Sequence, residues 1–495
     1  MDKIRFRNYK CFEDTGDVSL KPITFLLGAN SSGKSSFLEF FPLLKQSDGV
    51  RRNGLFLWYS NEVDFKDFKN AVKCGEETME ISLQFDKMVV NDSRNNSLLK
   101  ELANEGLNKR EYVDVKVQLE IAEQKDGADQ LKMIRIEFLD DCIELNIDKN
   151  GNVKAVVNGR GFDDRVIKMQ ASNSTYLLPR LMYLYETNDG IYSSTYPKFI
   201  DNGELFGNVL PNEIREHVFY ENVLYLKRDD YVALFKSKTE RNDADFELIR
   251  DLYIVANLNE IIEAVNFRIH AEAASLSYVK PLRVMPERYY RYQNYAVDEI
   301  DSDGKNLAMF LANLSDTEMT AFRKWTKDNF GIKIFPIKHE GHVELTIGEN
   351  KKTARNLVDV GFGFTQLLPI ITIIWESLRK RIRYHYPRVR NAAKIIAIEQ
   401  PELHLHPRIQ AEFAKVLVKV INNLPSGLDV RFIIETHSET IINKIGSLVQ
   451  TGDISQDKVN VVIFNGMEEG LDSYVVESHF DENGYLTNWP LGFFL

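Results

Sequence analysis

The amino-acid sequence predicts an α/β fold built around a phosphate-binding loop, with an additional antiparallel β lobe. First, an apolar run at residues 23–27 precedes a glycine-containing loop at 28–36, and a helical pattern follows it at 37–44. Second, alternating strand patterns separated by turns occupy residues 78–157. Third, strands and helices alternate from residue 359 onward, which is typical of a parallel sheet. The last part of the chain is therefore expected to complete the sheet that begins at the loop.

The loop sequence is GANSSGKSS, and it fits the P-loop pattern G-x-x-x-x-G-K-[ST] at every specified position. Its glycines let backbone amides turn toward a polyphosphate, and the following helix N-terminus favours anions. Lys34 is predicted to contact the β- and γ-phosphates and Ser35 to bind Mg²⁺. A chance Gly/Ser turn is the alternative, but the flanking strand and helix favour an ATP site. The candidate nucleotide-binding residues are Gly28, Asn30, Ser31, Ser32, Gly33, Lys34, Ser35 and Ser36.

Composition excludes several classes of protein. The net charge of −11 argues against indiscriminate coating of nucleic acid. Cys11, Cys74 and Cys142 show no metal-binding spacing and predict a reducing, cytoplasmic environment. No apolar run is long enough to span a bilayer, and basic residues interrupt the N-terminal segment where a signal peptide would be apolar. A transporter that carries its own channel is therefore not expected.

The remaining elements can be read in chain order. Residues 3–9 alternate as an edge strand, and a second short strand precedes Pro22. A polar insertion at 91–109 interrupts the meander, and residues 160–275 are predicted to be mostly helical, with examples at 212–235 and 246–274. Further predicted elements are a strand at 277–283, a helix at 305–329, a strand pair at 332–347, helices at 364–383, 407–423 and 438–449, and strands at 394–399, 430–435 and 458–464.

The strand at 394–399 ends in an acidic residue, Glu399, and supplies the second part of the predicted site. A carboxylate at such a strand end holds Mg²⁺ in P-loop proteins, often through water. Glu399 is assigned to this role together with Ser35, on the expectation that the two strands are neighbours. Gln400 and Glu402 follow directly and are candidate catalytic residues.

The strand ending at Glu435 is followed by Thr436, His437 and Ser438. His437 then lies at the edge where ligands bind in open α/β sheets, and it could contact a γ-phosphate or orient water. The alternative is a helix-capping segment, with Ser438 as the N-cap and Glu435 and His437 as polar neighbours.

The segment DVGFGFTQ opens the predicted helix at 364–383. Two glycines before a helix N-terminus form a second potential anion cradle, which would serve a nucleotide on a neighbouring subunit. The alternative is that the glycines only permit close helix packing. The residues assigned to the cradle are Gly361, Gly363, Thr365 and Gln366.

The ordered set GANSSGKSS, DVGFGFTQ, IEQPELHLHP and ETHSE, after the strand KIRFRNYKCF, resembles the ABC-type ATPases of the SMC, RecF and OLD group. It is especially similar to OLD-like AAA proteins of bacterial antiphage systems, such as the Septu (PtuA-like) ATPase and its retron-associated relatives. The segment 278–283 and the carboxyl end at 483–495 share this resemblance. It implies an ABC-type ATPase head, 1–160 and 276–495, with a helical insertion at 161–275 that serves dimerisation or partner binding.

Two departures from the family pattern bear on hydrolysis. The signature-like segment lacks the adjacent Ser-Gly-Gly of transporter-type proteins. Gln400 stands where many ABC ATPases carry the glutamate that polarises water, and a glutamine cannot accept a proton. Slow hydrolysis is therefore expected, with Glu402 or His437 as substitutes.

The resemblance implies a homodimer or higher oligomer of heads that controls a separate effector, in particular an HNH nuclease. The alternative is a DNA-repair ATPase of RecF or SMC type, although the sequence shows neither a long heptad repeat nor a broad basic face. A fused Toprim nuclease and a transporter subunit are less favoured. A basic and aromatic cluster at 379–390 could make nucleic-acid contacts, but a solvated helix end followed by a loop is the favoured interpretation.

Overall fold

The computed structural model describes residues 1–89, 112–124, 127–162, 168–172, 175–187, 190–194, 247, 250–251, 254–255, 257–292, 297, 299–360, 362–379, 392–465 and 474–488. The chain divides into two compact units. The first comprises Met1–Val18, Leu43–Ala274 and Tyr384–Ala392, and the second comprises Ser19–Pro42, Ser275–Arg383 and Ala393–Leu495.

The described strands are β1 Lys3–Tyr9, β2 Phe12–Asp14, β3 Val18–Ser19, β4 Ile23–Gly28, β5 Thr78–Val89, β6 Tyr112–Glu123, β7 Asp129–Phe138, β8 Asp141–Ile147, β9 Asn152–Val157, β10 Arg160–Phe162, β11 Lys168–Ser172, β12 Arg180–Thr187, β13 Gly190–Ser194, β14 Ser277–Val279, β15 Tyr290–Arg291, β16 Lys333–His339, β17 His342–Gly348, β18 Arg355–Asn356, β19 Lys394–Glu399, β20 Val430–Glu435, β21 Val459–Asn465 and β22 Tyr474–Ser478. The described α-helices are α1 Lys34–Ser47, α2 Leu258–Ala274, α3 Leu307–Asn313, α4 Asp316–Phe330, α5 Phe362–Arg379, α6 Pro407–Asn422 and α7 Glu439–Gln450.

The first unit is built on an antiparallel sheet with the order β13-β12-β11-β9-β8-β7-β6-β5-β1-β2, in which β10 pairs with β9 and β3 with β1. Strands β5 to β9 confirm the predicted meander, because their side chains alternate between a buried apolar face and a polar one. The prediction that β1 is an edge strand is wrong. It pairs with both β5 and β2, and β2 takes the edge.

The mostly helical prediction for residues 160–275 holds only in part. Strands β11, β12 and β13 extend the sheet over its beginning, so the prediction is wrong there, while α2 confirms its end. Two buried asparagines attach α2 to the sheet: Asn266 exchanges two hydrogen bonds with the backbone of Leu178, and Asn259 does the same with Leu181. The predicted helix at 212–235 and the insertion at 91–109 lie outside the described residues.

The second unit contains a six-stranded sheet with the order β14-β19-β20-β4-β21-β22. Its first five strands are parallel, and β22 runs antiparallel to β21. Every residue of β4 and β19 is buried, which explains why these strands are continuous apolar runs rather than alternating ones. Strand β20 lies between β19 and β4, so the expectation that the P-loop strand and the Glu399 strand are neighbours is wrong.

The predicted helix at 305–329 is two helices, α3 and α4, because the chain is extended at Leu314 and Ser315. Ser315 caps α4 in a capping box with Glu318, which satisfies amides that the helix leaves unpaired. The predicted strand pair at 332–347 is confirmed as β16 and β17, within a four-stranded sheet.

Two general features concern the described residues alone. No helix among the described residues combines the length and the apolar character needed to cross a bilayer. The three cysteines Cys11, Cys74 and Cys142 form no disulfide with one another.

Candidate nucleotide site

The loop between β4 and α1 has the shape of an anion cradle. Gly33 has φ 102°, in the left-handed region that residues with a Cβ rarely adopt. A Cβ on Gly28 would lie 2.4 Å from the carbonyl oxygen of Phe464 and 2.5 Å from Oγ of Ser32. Both glycines are therefore required by the geometry that brings the loop amides together.

Lys34 is the first residue of α1, and its ammonium lies over the loop. Its Nζ donates to the carbonyl oxygens of Ala29 at 2.6 Å and Gly28 at 3.1 Å. Burial lowers the pKa of Lys34, and the nearby Glu435 carboxylate opposes this shift. The hydroxyl of Ser32 is fully buried and has no hydrogen-bond partner among the described residues. A buried hydroxyl without a partner is costly unless a ligand satisfies it.

The carboxylate nearest the loop serine belongs to Glu435. Ser35 Oγ donates to Glu435 at 2.8 Å from Oε2 and 3.1 Å from Oε1. This contact follows from the strand order, because Glu435 ends β20 and pairs in register with Leu26 of β4. Burial raises the pKa of Glu435, whereas the hydrogen bond from Ser35 and the charge of Lys34 lower it.

Glu399, predicted to hold the metal with Ser35, lies one strand further away and pairs in register with Glu435. Its Oε1 accepts a hydrogen bond of 2.5 Å from the hydroxyl of Tyr278, which lies on β14. The pKa of Glu399 is raised to about 7, because the effect of burial is larger than the opposing effect of the hydrogen bond from Tyr278. Arg283 donates to the backbone carbonyls of Glu399 and Gln400, at 2.9 and 3.3 Å.

Gln400 lies beside the loop carboxylate. Its backbone has φ 40°, an uncommon left-handed value for a residue with a side chain, and its N–H donates to the carbonyl of Glu435 at 2.8 Å. The conformation of this residue is thus set by β20 as well as by β19.

Glu402 anchors the segment that carries His437. Its carboxylate accepts from Thr436 Oγ1 at 2.7 Å and from the backbone N–H of His437 at 2.7 Å. Burial of the His437 imidazole lowers its pKa, and the charge of Lys34 lowers it further, so the ring is neutral at pH 7. Ser438 caps α7 by accepting from Ile441 N–H, so the capping interpretation is confirmed for Ser438.

The second predicted cradle is described only in part, since Gly361 lies outside the described residues. A Cβ on Gly363 would lie 3.3 Å from the carbonyl oxygen of His404, which fits the packing interpretation. Thr365 and Gln366 are buried within the second unit. In the basic cluster, Arg379 pairs with Glu318 and lies over the Trp375 ring, and residues 380–390 are outside the described part.

The site therefore fits ATP and Mg²⁺ in its donor chemistry. The loop supplies amides, the Lys34 ammonium and the unpartnered Ser32 hydroxyl for phosphate oxygens. Ser35 and the strand-end carboxylates would supply the hard oxygen ligands that Mg²⁺ prefers. When bound, the cation neutralises charge on the phosphates.

The P-loop between β4 and α1, within a parallel sheet, defines a P-loop protein of the α/β class, as predicted. The chain belongs to the family described as AAA ATPase domain, whose match covers residues 1–442.

Comparison with curated proteins finds similarity to the Endonuclease GajA of Bacillus cereus (strain HuB5-5). The two are 22% identical over 457 residues, which is 89% of this chain and 56% of that protein. The chain therefore spans little more than half the length of this relative.

Among solved structures, the chain aligns with the Smc head domain of Pyrococcus furiosus, which was determined with an extended coiled coil and bound to the C-terminal domain of ScpA. The alignment has 12% identity and a TM-score of 0.36, and it covers 96% of this chain and 95% of that one. The SMC head domain of Thermotoga maritima aligns at 9% identity and a TM-score of 0.34, over 96% and 97% respectively. Scores this low do not by themselves establish a shared fold.

Sequence reasoning did not single out three residues of this site: Glu435, Tyr278 and Arg283. A signal for Glu435 was present, since Ile-Ile-Glu at 433–435 repeats the pattern of an apolar strand ending in an acid seen at 397–399. The segment 278–283 was marked only by its resemblance to the family, without a role in the site, because the contacts of Tyr278 and Arg283 with Glu399 depend on the pairing of β14 with β19.

Proposed function

We propose that this protein is an ATP-binding ATPase subunit of a bacterial antiphage defence complex. ATP and Mg²⁺ bind at the P-loop, and nucleotide-dependent pairing of heads controls a separate effector, in particular an HNH nuclease. One observation carries the nucleotide-binding part: a glycine cradle, a buried lysine and a serine–carboxylate pair occupy one edge of a parallel sheet. This arrangement brings groups that can bind phosphate and Mg²⁺ together at the N-terminus of one helix, α1.

The defence role rests on the resemblance to OLD-like antiphage ATPases and on the similarity to Endonuclease GajA over 89% of this chain. The effector is proposed to be a nuclease because that relative is named as an endonuclease. DNA contact is assigned to the effector, in keeping with the acidic net charge of −11. The helical segment within 161–275 and the basic cluster at 379–390 are proposed partner-binding regions.

Lys34→Ala tests the proposal. Loss of the ammonium should weaken binding of ATPγS at least tenfold, measured by titration calorimetry in the presence of Mg²⁺, because a charge-assisted contact to phosphate is lost. In cells, the same variant expressed with its neighbouring genes should lose protection in a phage plaque assay.

Lys324→Ala is the matched control, since Lys324 is an exposed lysine on α4. Unchanged ATPγS affinity in a folded Lys34→Ala protein would refute the nucleotide site. Retained protection against phage, together with lost nucleotide binding, would refute the role of ATP in defence.

A further inference from the structure

The loop that follows β14 buries a charged residue and exposes apolar ones. Arg283 is only 6% exposed, whereas its neighbours Leu282 and Met285 are 77% and 66% exposed. Folding normally produces the opposite distribution, because a buried guanidinium loses its hydration and an exposed leucine removes no apolar surface from water. Hydrophobic burial therefore does not explain why this loop places Arg283 inside.

The Arg283 guanidinium lies against the backbone at the carboxyl end of β19. Its Nη2 donates to the carbonyl oxygens of Glu399 at 2.9 Å and Gln400 at 3.3 Å. Its Nε and Nη1 are buried and have no hydrogen-bond partner among the described residues. Burial lowers the pKa of Arg283 to about 10, although the charges of Glu402 and Glu399 oppose this shift. A neutral amide could also donate to two carbonyl oxygens, so the cost of burying a full charge points to a function for this residue.

Gln400 is the residue whose conformation depends on these contacts. Its φ of 40° lies in the left-handed region, which is unfavourable for a residue with a Cβ. Its N–H donates to the carbonyl of Glu435 on β20 at 2.8 Å, and its own carbonyl accepts from the Leu403 N–H and, from the β14 side, from Arg283. A strained backbone persists only where surrounding contacts hold it. Without Arg283, the Gln400 backbone would lose its support on the β14 side.

The loop that carries Arg283 is itself fixed on both sides of that residue. The N–H of Lys280 donates to the carbonyl of Ser302 at 2.9 Å, and the N–H of Val284 donates to the carbonyl of Asp303 at 3.0 Å. The guanidinium therefore approaches Gln400 from an anchored backbone. Such support is what a residue needs in order to fix the geometry of a neighbouring site.

We propose that Arg283 is a positioning residue for ATP hydrolysis: by holding the strained backbone of Gln400, it keeps the Gln400 side chain where that side chain orients the attacking water. This inference rests on the proposed ATPase function. In the step concerned, the water oxygen bonds to the γ-phosphorus, the bond from that phosphorus to the bridging oxygen breaks, and ADP leaves with the electron pair. One proton of the water passes to the phosphate product or to solvent.

A double-mutant cycle of Arg283→Met and Gln400→Ala in the full-length protein tests this role. Steady-state phosphate release over a range of ATP concentrations with Mg²⁺ gives kcat and KM. We expect Arg283→Met to lower kcat about tenfold or more, because a small misplacement of a positioned group costs up to about 10²-fold. KM should stay within about twofold, since the P-loop contacts to ATP are intact. In the Gln400→Ala background, the same change should lower kcat by less than about twofold, because the group that Arg283 positions is absent.

Arg51→Met is the matched control, since Arg51 is an exposed arginine in the first unit, and its kcat should equal that of the wild type. ATPγS binding is measured in parallel by titration calorimetry. No binding by the wild type would refute the proposed function itself. Binding without any phosphate release would leave no step for Arg283 to support and would overturn this inference alone.

Two further outcomes would overturn the assignment while leaving the proposed function intact. One is wild-type kcat in Arg283→Met. The other is an equal fold loss from Arg283→Met in the wild-type and Gln400→Ala backgrounds, which is the result expected of a structural role that does not act through Gln400. If Arg283→Met does not fold by circular dichroism, Arg283→Lys, which keeps the charge but not the planar donor group, replaces it in the same cycle with the same criteria.

Discussion

At the scale of single residues, the site distributes its carboxylates among different tasks. Glu402 uses both oxygens to hold Thr436 and the His437 backbone, so it serves as an anchor. This contact weakens its candidacy as the proton acceptor that replaces the missing glutamate. Gln400 remains at the strand end next to Glu399, and its backbone N–H donates to the carbonyl oxygen of Glu435.

Gln400→Glu is therefore expected to raise phosphate release by about tenfold or more, because a positioned general base contributes 10²–10⁴-fold. The measurement is steady-state phosphate release at saturating ATP and Mg²⁺. Gln456→Glu makes the same chemical change at an exposed position and should have no effect. If the wild type instead hydrolyses ATP rapidly and Gln400→Glu abolishes that activity, another residue, such as His437, accepts the proton.

At the scale of elements, the junction between α3 and α4 shows how one side chain sets a helix boundary. Ser315 accepts from the Glu318 amide, and Glu318 in turn accepts from the Ser315 amide at 2.8 Å. Arg379, the last residue of α5, pairs with the same glutamate. The cap thus connects the start of α4 to the end of α5 within the second unit.

Ser315→Ala is expected to destabilise the protein by about 1 kcal/mol, the usual cost of losing an N-cap hydroxyl. Urea unfolding followed by circular dichroism measures the change in unfolding free energy. Lys324→Ala on the same helix, at an exposed position, is the control and should change stability little. Equal stability of Ser315→Ala and the wild type would show that the cap contributes nothing.

At the scale of the whole molecule, the proposed head pairing predicts an oligomer that depends on nucleotide. Sedimentation of the wild type with ATPγS and Mg²⁺ should show a species of twice the mass seen without nucleotide. Lys34→Ala should lack this shift, because it lacks the nucleotide that bridges the heads. An unchanged sedimentation profile of the wild type in both conditions would refute pairing driven by ATP.

Gly363→Glu is a less direct test of pairing, because the structure gives Gly363 a packing role. Even its Cβ would approach the His404 carbonyl at 3.3 Å, so a glutamate would disturb α5 before it reached a partner. The Lys34 variant avoids this ambiguity since its side chain lies in the P-loop alone.

The sequence by itself determined the local parts of this protein. The P-loop, the strand that ends at Glu399, the strand at 430–435 and the helices α6 and α7 were predicted within a residue or two. Each depends on neighbouring residues: glycines at fixed offsets, continuous apolar runs and a capping serine. Such patterns act within one strand or one helical turn, so one short window of sequence contains them.

Only the tertiary structure decided which distant residues meet. Ser35 and Glu435 are 400 positions apart, and their contact exists because β20, not β19, pairs with β4. Both strands are equally apolar and both end in glutamate, so periodicity cannot rank them as neighbours of the P-loop strand. Strand order follows from how whole strands and helices pack around a common core, which is a property of the entire chain.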